Sequence, residues 1–242
     1  MQQIVGHCPI GRKNTAPLSV AIIGSRQTGE PSQSDIPAAP LSAQLRARTA
    51  SLHERTEVLL GLPGAIRSLE HYRAWLCRFL GLYKPLEHML SKFSEWGDYG
   101  FTLPSPSQSD CLGADLAVLG IDPVSVEHAA RALLPHLPSF AHALGALYVL
   151  EGSTLGGRVI LRDIESRIGP QILGAMQFFG GRGAAVGQTW RTFKTALDTL
   201  GHERPNLQAD VGEGAERVFR AINNWFAPAR YYPVSVRSDG QG

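Results

Sequence analysis

The sequence predicts an all-α fold. Three observations carry this: apolar residues return every three or four positions in successive segments, no segment alternates as a half-buried strand does, and Gly and Pro clusters separate the periodic stretches. No internal repeat occurs.

Residues 1–38 mix Gly, Pro, Ser and Gln with little periodicity and read as a disordered tail. Within it, Ala16–Gly24 has only a faint likeness to an export signal and lacks a small-residue cleavage site. One domain is expected over 39–230, followed by a second tail, 231–242. The first helix begins at Leu41, with Leu45, Leu52 and Leu59 at seven-residue steps and Thr49 and Thr56 in the same stripe, and Gly61-Leu62-Pro63-Gly64 stops it. A second helix runs from Ser68 to Phe93 on a stripe that includes Tyr72, Leu76, Phe79, Tyr83 and Leu90. Gly81 and Pro85 predict a kink or break in it.

Trp96–Ser109 is rich in breakers and reads as a loop; short helices follow over Cys111–Leu119 and Pro123–Leu134. Pro138-Ser139 opens a long central helix that Gly169-Pro170 closes. After the glycine-rich Phe178–Gly183 connection come two last helices, Ala184–Leu200 and Leu207–Phe226.

Composition excludes several classes of function. A formal charge of +2 with no block of Lys or Arg argues against nucleic acid. Three scattered cysteines without CxxC spacing suggest neither a disulfide framework nor a zinc motif, and fit a reducing cytoplasm. No apolar run is long enough to cross a bilayer, so no membrane association is expected. HExxH, G-x-S-x-G and phosphate-loop patterns are all missing from the sequence.

Two stretches stand out chemically. Arg46, His53 and Glu57 form a polar file along one edge of the first helix, since seven residues make nearly two turns and Glu57 lies one turn beyond His53. The file is either an exposed edge with an i,i+4 pair or a ligand with its carboxylate support. Tyr148–Ile160 carries Gly152, Gly156 and Gly157 inside a helical run, where each glycine costs roughly 1 kcal/mol relative to alanine. Two readings compete there: a flat ligand lying on the backbone, or a second helix approaching through a face of small residues.

Together the two stretches resemble one family. Leu45–Glu57 is similar to the proximal helix of heme oxygenases, and Tyr148–Ile160 to the glycine-rich distal helix of their bacterial members, such as those associated with bacteriophytochromes. The likeness continues through Ala114-Asp115-Leu116, Phe178-Phe179-Gly180, Trp190 and Ala215–Trp225, covering about 41–228. It implies a heme held between the two helices, serving as substrate and as its own cofactor, and converted to biliverdin, carbon monoxide and ferrous iron. His53 would be the axial iron ligand, and Glu57 would accept a hydrogen bond from its other ring nitrogen. Gly152 and Gly156 would let the distal backbone lie close over the iron, and Arg46, Tyr148 and Arg162 would engage the propionates.

One departure is visible. Mammalian-type members place an aspartate directly after the first distal glycine to anchor a proton-delivering water network, and here that position is Ser153. The resemblance further implies an external electron donor, whether ferredoxin, flavodoxin or a reductase, with Arg158, Arg162 and Arg167 as part of its docking patch. It also implies a role in iron release or in bilin supply to a phytochrome. The alternative from another class is a heme-binding or heme-sensing protein of the same fold that does not turn heme over.

Overall fold

The computed structural model describes residues 39–181 and 183–227; the two predicted tails, 1–38 and 231–242, lie outside the described residues. Eight α-helices are found among them and no strand: α1 Leu41–Leu60, α2 Leu69–Leu90, α3 Gln108–Val118, α4 Phe140–Ser153, α5 Gly157–Ile168, α6 Gln177–Gly180, α7 Val186–Glu203 and α8 Gln208–Trp225.

The centre of the fold is α4, whose residues from Phe140 to Leu147 are all buried. Such a helix needs neighbours on every side. Its closest is α8, and glycine makes the approach possible. A Cβ on Gly145 would fall on the Val211 carbonyl oxygen and 2.7 Å from the Ala215 nitrogen, and one on Gly214 would fall on the His142 carbonyl oxygen. An adjacent face of α8 receives α1, which buries Leu41, Leu45, Thr49 and Thr56. There the Thr56 hydroxyl bonds the Leu52 carbonyl at 2.8 Å and meets Asn223 Oδ1 at 2.9 Å. The predicted stop of α1 is present: Gly61, at φ 60°, caps it by donating to the Glu57 carbonyl.

Three expectations from periodicity differ from the structure. Helix α2 passes through Gly81 and Pro85 without breaking. Pro85 has no N–H for the Gly81 carbonyl, and the Ala129 N–H supplies the missing bond at 2.8 Å. The strand of chain that provides it is the second difference. Pro123–Leu134 is not a helix but two single 3₁₀ turns, Pro123–Ser125 and Arg131–Leu133, because the intervening residues lie against α2. Third, the central helix is interrupted by a 3₁₀ turn over Thr154–Gly156. Ser153 Oγ donates to the Leu150 carbonyl and Thr154 Oγ1 to the Glu151 carbonyl, both at 2.7 Å, and hydroxyls bonded three residues back tighten a helix locally. A smaller shift occurs at α3, which starts at Gln108 because Ser107 and Asp110 form a reciprocal capping box.

Candidate functional site

The packing of α1 onto α8 fixes which edge it turns outward. Arg46, His53 and Glu57 are all exposed, the side chains of His53 and Glu57 by 59% and 65%. His53 Nδ1 stands 3.6 Å from Glu57 Oε1, within reach of a hydrogen bond after a small side-chain rotation. The imidazole is steadied from the other side by Phe219 of α8, edge-on at 5.8 Å between ring centroids. Burial of Phe219 thus orients a ring whose nitrogens remain accessible.

On the distal segment the three glycines have different surroundings. A Cβ on Gly157 would fall on the Phe179 carbonyl oxygen, so this glycine exists for close packing of α5 against α6. Gly156 is open, its nearest neighbour being Ile160 Cδ1 at 3.9 Å. Gly152 lies under Trp190, whose indole edge would be 3.5 Å from an added Cβ, an ordinary van der Waals distance. Leu155 and Val159, beside Gly156, are left 43% and 55% exposed.

Two networks tie this segment to the rest of the molecule. Tyr83 of α2 is buried among Phe79 and Phe178 and its hydroxyl meets Ser153 Oγ at 2.9 Å. Because Ser153 gives its only proton to Leu150, Tyr83 is the donor in that contact. Burial pushes the Tyr83 phenol up to about 12, against a smaller downward pull from Ser153. Tyr148 of α4 is half-buried and packs on Trp190 at 5.4 Å, which stacks on Phe193 at 5.7 Å. Burial raises the Tyr148 phenol, and the charge of Arg46 counters it, so Arg46 on α1 and Tyr148 on α4 are electrostatic neighbours across the two helices.

The predicted site residues therefore fall into groups. His53 and Glu57 share one edge, Arg46 and Tyr148 are near enough to interact electrostatically, and Ser153 stands between Gly152 and Gly156. Arg162 lies beyond the 3₁₀ turn, on α5, and its Nε donates to the Arg158 carbonyl at 3.3 Å. Of the predicted basic patch, Arg167 is engaged by Asp163 at 2.9 and 3.0 Å and offers little free charge to a partner. Tyr83 was missed as a site residue. It reads as one more member of an apolar stripe, although a tyrosine on a core face requires a partner for its hydroxyl.

A cavity of about 580 Å³ lies on the other side of α4, lined by Leu147, Leu150, Glu151 and residues of α2 and the 103–109 loop, and it includes none of the predicted residues. No described helix is long and apolar enough to cross a membrane.

Comparison with known proteins shows the family and the fold. The family model described as heme oxygenase matches residues 39–228. Among solved structures, the NO- and CO-bound heme oxygenase of Neisseria meningitidis superposes with a TM-score of 0.59 at 23% identity, over 78% of this chain and 93% of that one. A heme oxygenase from Leptospira interrogans superposes with a TM-score of 0.54 at 17% identity, over 78% and 98%. A search of curated proteins finds no match.

Proposed function

Because the chain belongs to the heme oxygenase family, we propose that it cleaves heme oxidatively to biliverdin, carbon monoxide and ferrous iron. The observation that carries this reading is His53. It is an oriented imidazole on an exposed helix edge, with a carboxylate 3.6 Å away and no hydrogen bond of its own among the described residues. Its exposure leaves the ring nitrogens open to water or to an incoming metal, and Phe219 on one side with Glu57 on the other fit it to serve as a ligand.

The residues present fit a flat, largely apolar dianion. Gly156 leaves backbone open, Leu155 and Val159 expose apolar surface beside it, and Arg46 sets a cation by the Tyr148 phenol. His53 would hold the iron, with Glu57 accepting from the other ring nitrogen and making the imidazole a stronger ligand. Arg46 and Tyr148 would receive a propionate, and Arg162 adds a second cation on the distal segment. The chemistry supplied by bound heme is activation of dioxygen at its own iron, with electrons from an external donor.

Proton supply falls to hydroxyls. Tyr83 donates to Ser153, and Ser153 Oγ keeps a lone pair able to accept from a water. Neither hydroxyl ionises near neutral pH, so the pair passes a proton on without storing one, unlike an aspartate.

The test is a visible spectrum of the purified protein with hemin, followed under air after addition of ascorbate or a reductase system. Decay of the Soret band with growth of a broad red band establishes the activity. A Soret band that persists through reductant moves the assignment to a heme-binding or heme-sensing protein, the reading that Ser153 in place of aspartate favours. No spectral change on mixing removes both, and His53→Ala is expected to abolish the axial-ligand spectrum.

A further inference from the structure

Where α4 and α8 cross, a second polar cluster sits at their N-terminal ends. His142, in the first turn of α4, has a side chain only 7% exposed. Its Nδ1 meets Ser139 Oγ at 2.8 Å, which fixes the ring and leaves Nε2 facing α8. Glu213 Oε2 stands 3.4 Å from Nε2, and Asp210 Oδ2 lies 3.9 Å from Nδ1. One ligand atom from each of the three residues falls within 4.8 Å of the other two.

The cluster is balanced for a dication. Arg217 occupies the other oxygen of Glu213, Oε1, at 2.6 Å, and leaves Oε2 toward the histidine. Two carboxylates stand against one guanidinium around the ring. Both carboxylates stand off from the ring, Glu213 Oε2 at 3.4 Å from Nε2 and Asp210 Oδ2 at 3.9 Å from Nδ1, the nitrogen that Ser139 already holds. Bonds of about 2.0–2.2 Å from zinc to nitrogen and oxygen give a tetrahedral N···O edge of roughly 3.3–3.5 Å, which the Nε2···Oε2 distance matches. Asp210, with its side chain 48% exposed, has room to turn in as the third ligand.

We propose that His142, Asp210 and Glu213 bind one divalent first-row transition cation of the zinc type. The site lies roughly 15 Å along α4 from Gly152, at 1.5 Å per residue, and is independent of the heme reading. It leaves a coordination position for water and clamps α4, which leads into the distal segment, to α8, which carries Phe219 against His53. Histidine and carboxylate together suit zinc and its neighbours better than magnesium or calcium.

Co²⁺ titration of the full-length protein tests it, read by visible d–d bands and by equilibrium dialysis. One saturable equivalent is expected, displaced by Zn²⁺, lost in His142→Gln, and weakened more than about ten-fold in Asp210→Asn, since even an outer partner of a metal ligand is worth that much. His53→Ala should leave the bands unchanged. Absence of saturable binding overturns the proposal, as does equal binding by Asp210→Asn and Glu213→Gln, or loss of the bands in His53→Ala, which would put the cation at His53 and Glu57. If circular dichroism shows that His142→Gln does not fold, the exposed Asp210→Asn decides.

Discussion

Gly156 and Gly157 are adjacent in sequence and should respond in opposite directions to alanine. Both have ordinary helical dihedrals, φ −79° and −54°, so backbone strain does not separate them. Space does. A Cβ on Gly157 lands on the Phe179 carbonyl oxygen, with the carbonyl carbon 3.3 Å away, and backbone cannot swing aside as a side-chain tip can. Overpacking of this kind costs about 1–3 kcal/mol, offset by about 0.5–1 kcal/mol of helix propensity, for a net loss of about 1–2 kcal/mol. In a domain of this size that lowers Tm by roughly 3–8 °C. Gly156→Ala meets nothing closer than Ile160 Cδ1 at 3.9 Å, keeps the propensity gain, and should raise Tm by roughly 1–4 °C. Thermal melts of both variants without hemin, followed by hemin titration, make the comparison. Gly156→Ala should melt higher yet bind hemin more weakly or turn it over more slowly. If the two melts shift in the same direction, the division of these glycines into packing and site is wrong.

Tyr83→Phe should alter alkaline stability. The folded phenol is pushed up to about 12 from 10.0, so below pH 10 its contribution is whole, and between pH 10 and 12 the unfolded chain ionises first and stability falls. Two pKa units correspond to roughly 2–3 kcal/mol, and urea titrations across that window should show the variant's slope smaller by one proton. At neutral pH the same variant loses about 1 kcal/mol with the Ser153 hydrogen bond, and its heme turnover should slow with little change in heme affinity. Thr56→Val strands the buried Asn223 amide and should cost about 1–3 kcal/mol by chemical denaturation. Glu57→Gln should weaken the proximal ligation of heme by about 10–100-fold, measured by hemin titration, because the His53 ring loses its anionic acceptor.

The helices were legible where their signals are local. The α1 stripe and its glycine stop and the amphipathic faces of α7 and α8 are written in consecutive residues. What could not be read is what one segment supplies to another. The helix expected over Pro123–Leu134 fails because Ala129 donates to Gly81, and Gly81 needs that donor because Pro85 lacks one. Nothing in residues 123–134 records the vacancy on α2. The 3₁₀ turn at Thr154–Gly156 was closer to legible, since Ser153 and Thr154 are hydroxyl residues in the middle of an apolar helix and compete for its carbonyls.

The glycine-rich stretch opened two readings, and the structure gives its three glycines three different surroundings. Gly157 is packing, Gly156 is open, and Gly152 is roofed by Trp190 from 38 positions further along the chain. That division has a mechanical consequence. With Gly157 seated on α6 and Gly145 seated on α8, the central helix is anchored at both ends of its glycine stretch, and the tightened turn between them carries Ser153 toward Tyr83. The anchors explain how a segment with so little side chain keeps a defined path. Between the anchors, Gly156 in the Thr154–Gly156 turn has no such backbone contact, its nearest neighbour being Ile160 Cδ1 at 3.9 Å. Hemin-dependent change in this segment is therefore expected at the turn before it is expected at Gly145 or Gly157, and hydrogen exchange of the turn amides with and without hemin checks it.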